Sequence, residues 1–190
     1  NLSIRSILWI SYAFLSLVIL FFILGYKVYD DITTFNDTID SRISLLSQMI
    51  ASNPEAKESI LNNQIDPESK TLFEDVLANH PTIDLIVIAN KNSIRIYHPI
   101  ESMIGEKFVG GDEAPILENG VPYLSSAKGG TGNVQTRAFR AIYDGDEIIG
   151  FVMVSAYQKT IYNTIGGILL ANLISFIIFS LVSFLVAYIM

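Results

Sequence analysis

Two charge-free apolar runs, one at each end, decide what this chain can fold into. No Asp, Glu, Lys or Arg occurs from Ser6 to Tyr26, and none from Thr160 to Met190. All 19 acidic residues lie between Asp30 and Glu147. A chain that is 51% hydrophobic with a mean hydropathy of +0.43 is too apolar for an ordinary soluble domain, and here the excess sits at the ends. The sequence therefore reads as two lipid-soluble segments around one acidic, water-soluble middle. We divide it into a first transmembrane segment (1–26), an extracytoplasmic domain (27–159) and a second transmembrane helix (160–190).

The first run, residues 4–26, supplies the roughly 20 apolar residues a helix needs to cross about 30 Å of hydrocarbon. Trp9, Tyr12 and Tyr26 stand towards its ends, where amphipathic rings prefer the interface. A cleaved signal peptide is the rival reading. The run is long for an h-region, and Gly25-Tyr26-Lys27-Val28-Tyr29 is a poor cleavage site, so an uncleaved anchor is expected. Arg5 ahead of it puts the N-terminus in the cytoplasm and the middle outside. Residues 160–190 are long enough to span with tilt, and Asn172 within them can bond a partner helix or its own backbone. The first residue is Asn1 rather than Met, which suggests a fragment or a processed chain that lacks a cytoplasmic output region.

Net charge is −7. Arg5 is the only charge before Lys27, so the middle is more acidic still. This argues against nucleic acid, which needs a basic face, and against adhesion to anionic lipid. An anionic small molecule would need a local cationic pocket, because the global field repels it. With no cysteine and only two histidines, His80 and His98, disulfides and thiolate sites are excluded. A metal centre is not expected, and no cofactor motif is present.

Within the middle, residues 28–53 continue the first helix. Val28, Ile32, Phe35, Ile39, Ile43, Leu46 and Ile50 form its apolar stripe, which serves the domain core, a partner copy in a homodimer, or both. Asn53-Pro54 and Asp66-Pro67 each pair a capping side chain with proline at the first helical position. They open helices to about Asn62 and to Asn79. Strands are expected over 83–89, 93–97, 121–127, 134–143 and 147–157, with a short helix over 112–119. The pattern is α+β: N-terminal helices, then a PAS-like antiparallel five-stranded sheet.

Three groups of residues point to carboxylate chemistry. In the strand 93–97, Ile94 and Ile96 alternate with Arg95 and Tyr97, and His98 stands at its exit. This places Arg95 and Tyr97 on the face away from the core. An Arg fork and a His⁺ at a strand end can grip a carboxylate. An ordinary exposed Arg and a His satisfied by a local carbonyl fit the same residues. Lys128-Gly129-Gly130-Thr131-Gly132 can turn backbone N–H groups into an anion nest with the Thr131 hydroxyl alongside, or simply turn the chain. Arg137 and Phe139 share one strand face, a second guanidinium beside an apolar wall, while Arg140 points to the other. Asp112-Glu113 and Asp144/Asp146 read as solvated turn residues. No nucleophile stands with a base, so no catalytic site is expected in this chain.

The ordered series Ala51-x-x-Pro54-Glu55, Arg95-x-x-His98, Ile104-Gly105, Phe108-x-Gly110-Gly111-Asp112, Lys128-Gly129 with Gly132, Arg137-x-Phe139, Ile142-Tyr143-Asp144 and Ile149-Gly150-x-Val152-x-Val154 resembles the extracytoplasmic single-Cache sensor domains of bacterial citrate and C4-dicarboxylate sensor histidine kinases. The resemblance implies a two-component sensor in the bacterial inner membrane. Arg95, His98 and Arg137 would clamp ligand carboxylates, Gly130 and Thr131 would form the nest, and Lys128 and Phe139 would complete the ligand-binding set. At the position of Phe139 citrate-type members tend to carry Lys and dicarboxylate-type members Phe, so a C4-dicarboxylate is favoured over citrate. Met153 stands where a ligand-bonding Ser is often found, Arg140-Ala141 replaces a usual x-Pro, and Ser155-Ala156 replaces a Gly-containing end. The implied signal is a piston-like shift of the second membrane helix. A chemoreceptor or cyclic-di-nucleotide signalling protein with the same sensor, and a membrane-anchored dimerisation module, are the alternatives.

Overall fold

A computed structural model describes the backbone of residues 4–128 and 134–189. Helix α1 runs unbroken over Ile4–Ala51, about 70 Å at 1.5 Å per residue. Two capped helices follow. Asn53 Oδ1 accepts from the N–H of Glu55 and opens α2 (Pro54–Asn62). Asp66 accepts from the N–H groups of Glu68 and Ser69 and opens α3 (Pro67–Asn79). These bonds satisfy N–H groups that the first helical turn leaves without an internal partner. Ser69 Oγ donates to Glu55 at 2.9 Å and ties the two helix starts together.

The sheet follows: β1 (Leu85–Asn90), β2 (Arg95–Tyr97), β3 (Tyr123–Lys128), β4 (Val134–Asp144) and β5 (Glu147–Tyr157), with α4 (Ala114–Asn119) between β2 and β3. Strand order is β2-β1-β5-β4-β3, with every pairing antiparallel. A short 3₁₀ turn at Glu101–Met103, which the sequence does not signal, lies in the connection after β2. The final helix, α5 (Gln158–Ile189), begins at the residue after β5 ends.

Alternation sorts the sheet into two buried faces. Ile86, Ile88, Val152 and Val154 share the face covered by α2 and α3, where Ile60 and Phe73 are buried. Val87, Ala89, Phe139, Phe151 and Met153 form the other face, capped by Phe108 and by Ile116 of α4.

Two compact units result: Asn1–Asn36 with Tyr162–Met190, and Asp37–Ile161. The breaks expected at 26/27 and 159/160 both fall inside continuous helix. In the first unit, α1 and α5 are each long and apolar enough to cross a membrane. Several of their polar side chains are satisfied by backbone of the same helix, an arrangement that a low-dielectric setting favours. Ser16 donates to Ala13 O, Ser175 to Ala171 O, and Asn172 Nδ2 to Ile168 O.

Candidate functional site

The site is built on the second sheet face, and a β-bulge gives it its shape. Ile88 pairs with Tyr97, but Ala89 pairs with Arg95, so Ile96 is the extra residue of β2. A bulge reverses the alternation beyond it. Arg95 keeps the face of Ala89, whereas Tyr97 turns to the helical side and packs edge-on against Phe73, ring centroids 5.1 Å apart. The expectation that Arg95 and Tyr97 share a face is thus corrected. Tyr97 is core, 1% exposed, and burial pushes its hydroxyl pKa up to about 12.

Arg95, His98 and Arg137 line one cavity of about 250 Å³ on this face, together with Phe108, Gln135 and Met153. All three of the cationic candidates are buried: Arg95 and His98 are 8% exposed and Arg137 is 2%. The guanidiniums of Arg95 and Arg137 both lie over the Phe108 ring, 5.6 and 5.9 Å from its centroid. The negative π face of the ring attracts both charges and so offsets part of their repulsion.

The two guanidiniums differ in their partners. Arg137 donates from Nη1 to Asp112 Oδ1 at 2.7 Å, and from Nε and Nη2 to Gln135 Oε1 at 3.2 Å. Gln135 in turn donates to Asp84, which also accepts from Ser155 Oγ. Asp112 is held on its other side by Ser125 Oγ at 2.8 Å, and its carbonyl accepts from the Tyr123 hydroxyl. Gly110 lets the loop pass this close: a Cβ there would meet Phe108, Asp112 Oδ1 and, at 2.8 Å, Arg137 Nη1. Arg95 has no such arrangement. Its Nε is buried with no hydrogen-bond partner, and among the described residues no carboxylate lies within ion-pair distance of it. Burial pulls its pKa below the usual arginine value, against the more distant pull of Glu106 and Glu113.

His98 Nδ1 accepts from the N–H of Ile100 at 3.0 Å. That bond needs a lone pair on Nδ1, so the proton of the ring is on Nε2. Burial, with the charge of Arg95 second, lowers its pKa. His98 is therefore a neutral donor rather than the charged one expected from sequence.

Phe139 does not line the cavity. It stacks on Tyr123 at 5.1 Å, opposite Met153 in the sheet, and lies in the core with Phe108 and Phe151. Sharing a face with Arg137 did not make it share the cavity, because the row of Phe139 runs under Phe108. Gly130 and Thr131 lie outside the described residues, as does the side chain of Lys128. Sequence reasoning missed Asp112, read as a solvated turn, and Gln135. The period of two already put Gln135 on the face of Arg137, a signal that was available. Asp112 stands in the Phe108-x-Gly110-Gly111-Asp112 motif, but nothing local pairs it with Arg137, which is distant in the chain.

Comparisons with known proteins give the family and the fold. The family model described as single Cache domain 3 matches residues 33–169. The sensor protein CitS of Halalkalibacterium halodurans is 29% identical over 138 residues, 73% of this chain and 26% of that protein. A probable C4-dicarboxylate sensor kinase of the same organism is 32% identical over 130 residues, 63% of this chain and 23% of that protein. The chain thus spans about a quarter of the length of these relatives. Among solved structures, the E. coli DcuS sensor domain is similar with a TM-score of 0.62 at 22% identity, over 70% of this chain and 98% of that one. The V. cholerae DctB sensor domain gives 0.57 at 14% identity, over 72% and 56%. At these identities the likeness to the two structures is one of fold.

Proposed function

The chain belongs to the single Cache domain 3 family, and from that premise we propose that it is the sensor part of a bacterial transmembrane receptor, binding a small carboxylate outside the membrane and signalling through α5 to a cytoplasmic histidine kinase. One observation carries the ligand class: the Arg95 guanidinium is buried against the cavity with Nε unpartnered. A desolvated cation without a counter-ion is costly to hold, and an anion entering the cavity offsets that cost with charge-assisted hydrogen bonds. His98 Nε2–H and the unused N–H donors of Arg137 complete the clamp. The cavity is smaller than the roughly 300 Å³ at which drug-sized pockets begin, which suits a short organic acid. The name of one curated relative, a probable C4-dicarboxylate sensor kinase, points the same way. A C4-dicarboxylate is favoured over citrate on the family resemblance at Phe139 alone, since that side chain lies in the core beside the cavity. Gly130, Thr131 and Lys128 would receive the second carboxylate. The kinase partner, the homodimer, the inner-membrane location and the segment limits at residues 26 and 159 belong to the same reading.

The test is calorimetric titration of the chain in lipid nanodiscs with succinate, malate, fumarate and citrate. We expect one of these acids to bind, and Arg95→Ala to weaken it at least about tenfold, or about 1.4 kcal/mol, while melting no lower than the wild type. Wild-type binding retained in Arg95→Ala would remove the role assigned to the guanidinium. Absence of heat with every acid would remove the carboxylate reading.

A further inference from the structure

We infer that Asp112 sets how much negative charge a ligand of this cavity can carry. The inference rests on the carboxylate reading above and specifies it. Two guanidiniums face the cavity, and taken alone they would suit a polyanion. Arg137 is already paired: Asp112 Oδ1 stands 2.7 Å from Nη1, with the two side chains only 3% and 15% exposed. At this burial neither water nor salt screens the pair effectively.

Asp112 is also fixed in place. Ser125 Oγ holds its second carboxylate oxygen, Tyr123 holds its backbone carbonyl, and Gly110 admits no Cβ between the loop and Arg137. These contacts make it a standing partner of Arg137, set behind the cavity lining, rather than a stand-in that an entering acid displaces. Asp84 lines the same cavity and accepts from Gln135. Among the described residues that line or pair at the cavity, Asp112 therefore meets the charge of one guanidinium, that of Arg137, and His98 is neutral. Arg95 is the cation left without an ion pair. Such a site favours an acid whose charge one guanidinium can meet, and it disfavours each further negative charge added near Arg137.

The chain in lipid nanodiscs is titrated at pH 8 with succinate, a dianion, and tricarballylate, a trianion on a similar carbon chain. In the wild type succinate binds more tightly. Asp112→Asn keeps the size and can keep the Ser125 bond, but it removes the charge. It should shift the ratio of the two dissociation constants towards tricarballylate by about tenfold or more. Cavity size cancels in this ratio, so the shift isolates charge. Succinate binding with an unchanged ratio overturns the inference and leaves the carboxylate reading standing. A wild type that binds neither acid overturns both. Should Asp112→Asn fail to fold, Ser125→Ala loosens the hold on Asp112 and should move the ratio the same way by about threefold, and no movement there counts against the inference equally.

Discussion

A guanidinium held away from water must find acceptors for its N–H groups, and Arg137 and Arg95 meet that demand differently. Arg137 finds Asp112 and Gln135, whereas Arg95 Nε finds none. The residue between them in role is His98, whose state follows from its surroundings. Arg95, Arg137 and Asp84 face the same cavity, the Ile100 N–H occupies Nδ1, and burial and the Arg95 charge hold the ring below its ordinary pKa of 6.5. The unfolded chain then takes up a proton that the native state refuses. Stability from this group is complete above pH 6.5 and declines as pH falls below it, by at most about 1.4 kcal/mol per pH unit. Thermal unfolding of the ligand-free chain between pH 5 and 8 should show this decline, and His98→Gln should flatten it. A variant with the full pH dependence of the wild type would assign the effect elsewhere.

At the scale of elements, the close approach of α2 to the sheet depends on Gly150. A Cβ there would meet the carbonyl oxygen of Ala89 on the neighbouring strand and, at 2.6 Å, Ile60 Cδ1 of α2. Ile60 can rotate but the backbone carbonyl cannot, so Gly150→Ala should destabilise by about 1–3 kcal/mol, read as a lowered melting temperature. An unchanged midpoint would mean that β1 and β5 can separate without cost. The elements themselves were largely legible. Asn53-Pro54 and Asp66-Pro67 are local signals, and the helices begin there because capping is local chemistry. The three-way split of Arg95, Tyr97 and Phe139 was not legible. A bulge at Ile96 depends on how β2 registers with β1, and the burial of Phe139 depends on where a loop from outside the sheet lays Phe108. Arg95, His98 and Arg137 were found because their chemistry is rare in an acidic chain. Asp112 closes the Phe108-x-Gly110-Gly111-Asp112 motif but was passed over as a turn residue, because its role comes from its long-range pairing with Arg137.

At the scale of the whole molecule, the connection between β5 and α5 decides whether binding can be felt elsewhere. Tyr157 ends the strand and Gln158 begins the helix, so no flexible residue separates them. β5 also pairs with both β1 and β4, and it carries Met153 and Ser155 beside Arg137. In the sensor reading proposed above, an acid that drew Arg95 and Arg137 together would act on the strand that continues into α5. It can shift the signalling equilibrium only by its difference in affinity for the two states, and helix shifts of about 1–2 Å are the usual scale. The chain holds no cysteine, so an introduced pair reports without background. Phe21 of α1 and Phe176 of α5 meet edge to face with centroids 6.4 Å apart, which makes Phe21→Cys with Phe176→Cys a suitable pair. In vesicles, a bound carboxylate should change the oxidative cross-linking rate of this pair. A pair of glycines inserted between Tyr157 and Gln158 should leave binding intact and abolish the change. A rate indifferent to bound ligand in the uninserted chain would mean that α5 does not move against α1. A ligand-dependent rate that survives the insertion would mean that the signal reaches the helices by a route other than β5.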